Sequence, residues 1–251
     1  MRLRAIAILC TVFFPAPTQA AELAIPPGFV HLREAAPEIQ QDMRYAGPHN
    51  FTGKPAPGYG AGECLLLREA ALALKRAQQA AMARGLSLKV YDCYRPIRAV
   101  EAFAAWAEAP DDGRTRHFYP ALQKPELMRG YIARRSAHSQ GVAVDLTLAP
   151  RGSAIPAPGG KGPCTAPQSE READNSVDMG TAFDCFDAKS ATASPGITAE
   201  QRRFRLLLKT IMGEAGFRNY SVEWWHYAYA SRMAKRVFDI PIQPYTAAPA
   251  P

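Results

Sequence analysis

The sequence predicts an α+β fold, with a small, mainly antiparallel sheet and flanking helices. Three observations carry this expectation. Two segments alternate apolar and polar residues at the period of a strand, Leu86–Asp92 (LSLKVYD) and Val142–Leu148 (VAVDLTL). Stretches of strong helix formers lie before, between and after them, at Leu65–Arg84, Pro96–Ala109 and Thr198–Gly216. The most aromatic stretch, Tyr220–Tyr229 (YSVEWWHYAY), reads as a central strand or hairpin. No internal repeat or clean linker divides the chain. One domain is therefore expected over residues 21–242, followed by a flexible Pro/Ala tail over 243–251.

Taken in order, residues 21–60 are rich in Pro and Gly and read as an irregular arm, with a short strand at Asp42–Tyr45. In Leu65–Arg84, Leu66, Ala70, Leu72 and Leu74 give a broad apolar face, and Gly85 is a natural stop. Leu86, Leu88 and Val90 alternate with Ser87, Lys89 and Tyr91, the pattern of a half-buried strand. Pro96 starts the next helix, where its missing N–H costs nothing. Residues 110–124 read as a loop and Pro125–Arg135 as a short helix. Pro150–Ser176 is polar and rich in Pro and Gly, a long excursion of the kind often used as a lid or insertion. Thr198 and Gln201 have the spacing of a capping box for the last helix.

The 251 residues are 47% hydrophobic and 21% charged, which excludes a disordered tail protein, a collagen-like fibre and a multi-span membrane protein. Met1–Arg4 is basic, Ala5–Phe14 is apolar, and Thr18 and Ala20 stand at −3 and −1 of a cut before Ala21. This is the layout of a secretory signal peptide over residues 1–20, so an exported protein, periplasmic or secreted, is expected, without a stable membrane anchor. Removing Arg2 and Arg4 lowers the net charge from +7 to +5. With no run of five basic residues, nucleic acid is not an expected partner. Beyond the signal, Cys64, Cys93, Cys164 and Cys185 are even in number and read as two disulfides. Of three possible connectivities, Cys64–Cys93 and Cys164–Cys185 are expected, since each pair brackets one segment.

Two of the five histidines have unusual neighbours: His138 in Ser136-Ala-His-Ser-Gln-Gly-Val-Ala-Val-Asp145, and His226 in Glu223-Trp-Trp-His226. Asp145 falls mid-strand, where an unpaired buried acid is costly and calls for a cation or a hydrogen-bonding cluster. Gly141 can take positive φ and turn His138 back towards Asp145. Two such ligands suit Zn²⁺, and His226 is the best third, leaving one position for water. Glu223, three residues from His226, can reach the same ion only if the strand bends or bulges. It is then the general base for the water. Arg95, at a strand-to-helix junction, can stabilise a developing oxyanion.

The SAHSQGVAVD and EWWH segments resemble the SxHxxGxAxD and ExxH motifs of zinc D,D-peptidases, which act on bacterial cell-wall peptides and share a fold related to the Hedgehog N-terminal domain. The resemblance is greatest to D-alanyl-D-alanine dipeptidases of the VanX type, supported by Asp42–Ala46, Asn50–Gly53, Tyr94–Pro96 and Asp178–Asp184, and it runs from about residue 37 to 230. It implies one zinc ion on His138, Asp145 and His226, Glu223 as catalytic base, and Arg95 at the tetrahedral transition state. It also implies Ser136, Tyr45, Asp178 and Asp184 as groups holding the substrate's termini. The expected substrate is a small D-amino-acid dipeptide, handled by a monomer in cell-wall turnover or salvage. Two alternatives stay open: a D,D-carboxypeptidase or endopeptidase on longer stem peptides, and a non-catalytic cell-wall peptide-binding module.

Overall fold

The protein is described by a computed structural model covering residues 25–157, 159–160, 162–230 and 236–246. The expected signal segment lies outside the described residues, as does the tail beyond residue 246. In chain order the elements begin with β1 (Phe29–His31), α1 (Leu32–Ala35), β2 (Gln40–Gln41), β3 (Leu65–Leu67), α2 (Arg68–Met82) and β4 (Leu86–Asp92). They continue with α3 (Ile97–Glu108), β5 (Ala143–Pro150), α4 (Ala199–Glu214), β6 (Phe217–Asn219) and β7 (His226–Tyr229). A five-stranded sheet has the order β2-β4-β5-β7-β6, antiparallel except for the β2–β4 pair. β1 and β3 form a separate antiparallel ribbon. The α+β class is as the sequence predicts.

Several elements depart from the sequence reading for identifiable reasons. Leu65–Leu67 are not the start of a helix; they pair with Phe29–His31, and the helix begins at Arg68. On α2, Ala70 and Leu74 are buried but Leu72 is exposed. The strand expected at Asp42–Tyr45 lies two residues earlier, and Arg44–Ala46 is instead a 3-10 turn. Of the helix expected at Pro125–Arg135, only a 3-10 segment, Lys124–Met128, forms, followed by Gly130 at φ 132°. The last helix agrees closely, with Thr198 and Gln201 forming the reciprocal capping box. Both expected disulfides, Cys64–Cys93 and Cys164–Cys185, are present.

β4 is buried on both faces rather than half-buried. The reason is the long excursion, which returns over the polar face of the sheet. Lys89, fully buried, places Nζ 2.8 Å from Asp174 Oδ1 and 2.7 Å from Asn175 Oδ1. The Tyr91 hydroxyl donates to Asp174 Oδ2, which Arg44 also reaches. Burial raises the Asp174 carboxyl, but Lys89 and Arg44 outweigh it and hold the group below the ordinary aspartate value. On the other side, α2 packs on β4, α4 on β5 and β6, and the two helices touch each other.

The register between strands sets up the site. Between Val90 and Asp92 the pairing of β4 with β5 shifts by one residue, a bulge at Tyr91. The shift brings Asp92 opposite Asp145, and on the other side of β5 Asp145 lies opposite His226. Without the extra residue Tyr91 would stand opposite Asp145, and Asp92 would turn to the other face.

Asp174→Asn is expected to destabilise the fold by about 3 kcal/mol at neutral pH, because it leaves the Lys89 ammonium buried without its closest counter-charge. The Asp174 carboxyl is depressed in the folded chain, so this contribution is full above the ordinary aspartate range and is lost as pH falls through the folded value. Urea unfolding of both proteins at pH 7 and pH 3 checks this, with the gap between them narrowing at the lower pH.

Candidate active site

Three elements converge on one cavity of about 190 Å³. The first is a 3-10 turn, Ala137–Gln140, capped by the Ser136 hydroxyl, which accepts from the His138 N–H. Gly141 closes the turn at φ 72°, and a Cβ there would lie 2.3 Å from the Phe29 ring. Both conformation and space therefore require glycine. The second element is β5, carrying Asp145. The third is the turn from Tyr220 into β7. Here Glu223 and His226 reach the same cavity through this turn and not through a bulge in a strand: Glu223 precedes β7, and His226 is its first residue. The Asn219 side-chain amide pins the turn, donating to the carbonyls of Glu223 and His226 at 3.0 Å each. Trp224 anchors its far side through a hydrogen bond to Thr181, and Trp225 is fully buried.

The donor atoms of His138, Asp145 and His226 form a tight triangle. His138 Nε2 lies 3.1 Å from His226 Nδ1, His226 Nδ1 lies 2.9 Å from Asp145 Oδ1, and His138 Nε2 lies 3.3 Å from Asp145 Oδ1. A tetrahedral ion with bonds of about 2.0–2.2 Å has donor-to-donor edges of about 3.3–3.6 Å, so the triangle is close to that size. His138 Nδ1 donates to the Cys93 carbonyl at 2.6 Å, which fixes the ring with Nε2 facing the cavity and Asp145. Burial lowers the pKa of the His226 ring below the ordinary histidine value. Burial alone would raise Asp145, yet His138 and His226 hold it far below the ordinary value. These three residues are the one group of His, Cys, Asp or Glu among the described residues with the spacing to hold a metal ion.

Asp92 supports the trio from behind and is a residue the sequence reading missed. Fully buried, it accepts from Tyr59 at 2.6 Å and from Arg95 Nε at 2.9 Å, and lies 3.3 Å from His138 Nδ1. Arg95 is thereby held in place, with Nη2 3.4 Å from Asp145 and its plane over the Tyr45 ring. Its Nη1 makes no hydrogen bond to a described residue, and Arg95 lines the cavity.

The remaining sequence candidates separate. Glu223, Tyr45, Ser136 and Asp184 line the cavity with His138, Asp145 and His226. Asp178 does not: it is taken up by Arg171, the Gly180 N–H and Gln201. Asp184 is buried, accepts from the Tyr45 hydroxyl at 2.8 Å, and sits at φ 55°, the one positive φ outside glycine among the described residues. Burial raises both Asp184 and Glu223 well above ordinary carboxyl values, and the Asp145 charge adds to each. Arg205, also missed, is fully buried and donates to the carbonyls of Met179, Lys189 and Ala191, bracing the segment that carries Asp184. Its signal is a lone Arg on the apolar face of an otherwise amphipathic helix.

A model of peptidase family M15, described as D-Ala-D-Ala dipeptidase, matches residues 26–161 and 165–243. The chain is 34% identical over 219 residues to a D-alanyl-D-alanine dipeptidase of Enterococcus faecium, covering 86% of this chain and 98% of that one. It is 36% identical over 217 residues to one of Streptomyces coelicolor, covering 85% and 98%. With one of Escherichia coli K12 it shares 31% over 198 residues, covering 79% and 82%.

Asp145→Ala is expected to weaken divalent-metal binding at least a hundredfold, since it removes one of three donors, whereas Glu223→Ala keeps one equivalent of metal. Metal content after dialysis against a competing chelator separates the two variants.

Proposed function

Because the chain belongs to the D-Ala-D-Ala dipeptidase family of M15 peptidases, we propose that it hydrolyses D-alanyl-D-alanine, with one zinc ion held by His138, Asp145 and His226. The observation that carries this reading is the Glu223 carboxylate. It is buried beside the ligand trio and makes no hydrogen bond or ion pair to any described residue. An acid kept free at that place has its acceptor capacity available for a reacting proton.

A bound zinc ion supplies the Lewis acidity that makes water nucleophilic near neutral pH. Glu223 takes the proton from the attacking water and returns it to the departing amine nitrogen. Its raised proton affinity suits both halves of that transfer. Arg95, oriented by Asp92, presents its guanidinium to the oxygen that gains charge as the peptide carbon becomes tetrahedral. Asp184, with Tyr45 on one oxygen, receives the substrate's ammonium group. Phe51, Phe103 and Trp225 line the cavity and limit its water content.

The cavity, at about 190 Å³, is smaller than the roughly 300–1,000 Å³ of sites for drug-sized ligands, which favours a dipeptide over a longer stem peptide. The uncommitted Glu223 favours an enzyme over a binding module. Two disulfides support an oxidising, extracytoplasmic compartment and a substrate drawn from cell-wall fragments.

Release of free D-alanine from D-alanyl-D-alanine by the purified protein, abolished by a chelator and restored by Zn²⁺, is the direct test. Glu223→Ala is expected to lower kcat by about 10²–10⁴-fold while the protein still holds its metal. Near-normal turnover in that variant would remove the mechanism.

A further inference from the structure

Two arginines line the cavity, Arg95 and Arg135, and their surroundings differ. Arg95 is engaged by Asp92 and Asp145. Arg135 stands exposed at the rim and makes no hydrogen bond or ion pair to any described residue, whereas its neighbour Arg134 pairs with Glu108. Arg135 immediately precedes Ser136, whose hydroxyl caps the turn carrying His138. Its backbone is therefore tied closely to the ligand centre.

The acids of the cavity lie at the opposite extreme of exposure. Asp145, Asp184 and Glu223 are 2%, 4% and 8% exposed. The cavity is thus polarised, with buried carboxylates on its inner wall and an uncompensated guanidinium at its mouth. Among the other polar side chains of the cavity, the Tyr220 hydroxyl donates to the Gly130 carbonyl and the Ser136 hydroxyl accepts from the His138 N–H. A free dipeptide is polarised in the matching sense. With its ammonium on Asp184 and its peptide carbonyl beside the trio, its carboxylate is directed outward to the rim.

We propose that Arg135 is a specificity-determining residue that binds the C-terminal carboxylate of the dipeptide and so selects free dipeptides over amidated or extended chains. The proposal rests on the dipeptidase reading above. A planar guanidinium can take a carboxylate through two parallel hydrogen bonds, a geometry that a carboxamide or a continuing peptide cannot reproduce.

The test compares wild-type protein with Arg135→Ala and Arg135→Lys on D-alanyl-D-alanine and on its C-terminal amide. Wild type should prefer the free acid. Arg135→Ala should lower kcat/KM for the free acid about ten- to a hundredfold, as expected for loss of a charge-assisted hydrogen bond, and change the amide little. Arg135→Lys should recover part of the preference. If wild type cleaves the free acid and Arg135→Ala keeps the wild-type ratio of acid to amide, the assignment of Arg135 is wrong while the dipeptidase reading stands. The assignment is equally wrong if wild type shows no preference between the two compounds. If wild type cleaves neither, the dipeptidase reading fails and the role of Arg135 with it.

Discussion

Asp145 is a carboxylate almost wholly withdrawn from water, and the centre of the molecule is arranged to keep it charged. Two imidazoles meet one of its oxygens and a guanidinium stands near the other. A lone buried charge would take up a proton, so this carboxylate persists only because cations or donors surround it. Those partners come from three distant parts of the chain. A fold in which they failed to meet would leave Asp145 neutral and the imidazoles without a common target.

The same rule operates at a second level of the sheet. Lys89 and Asp174 repeat the buried-pair arrangement on the polar face of β4, beneath the excursion, with Arg44 and Tyr91 completing the set. The two clusters share one strand, and the bulge at Tyr91 separates them. Lys89 and Tyr91 point to the covering segment, and after the bulge Asp92 points to the site. A single inserted residue in the ladder thus converts a strand with one polar face into one that serves two separate charge clusters.

Much of this architecture is legible in the chain itself. The trio His138, Asp145 and His226 can be read because an acid inside a β-rich run, a glycine near a histidine and an ExxH string each need an explanation, and one ion explains all three. The capping box at Thr198 and both cystine pairs can be read for similar local reasons. Asp92 cannot: its role depends on the bulge, and nothing in LSLKVYD signals a shift of register. Lys89 reads as solvent-facing because an alternating strand does not reveal what covers its polar side. Asp178 and Asp184 lie six residues apart in one motif, yet the first is taken up by Arg171 and Gln201 while the second, at positive φ, lines the cavity. Leu65–Leu67 look helical because Leu favours helices; a partner strand from thirty-odd residues earlier overrides that preference.

The carbonyl that orients His138 belongs to Cys93, which is bridged to Cys64 in the strand-turn just before β3. The oxidised cross-link therefore restrains the very peptide unit that aligns a metal donor. The covalent bridge and the side chain of a candidate metal ligand are thus joined through one backbone oxygen, so part of the order at that imidazole is built into the chain itself.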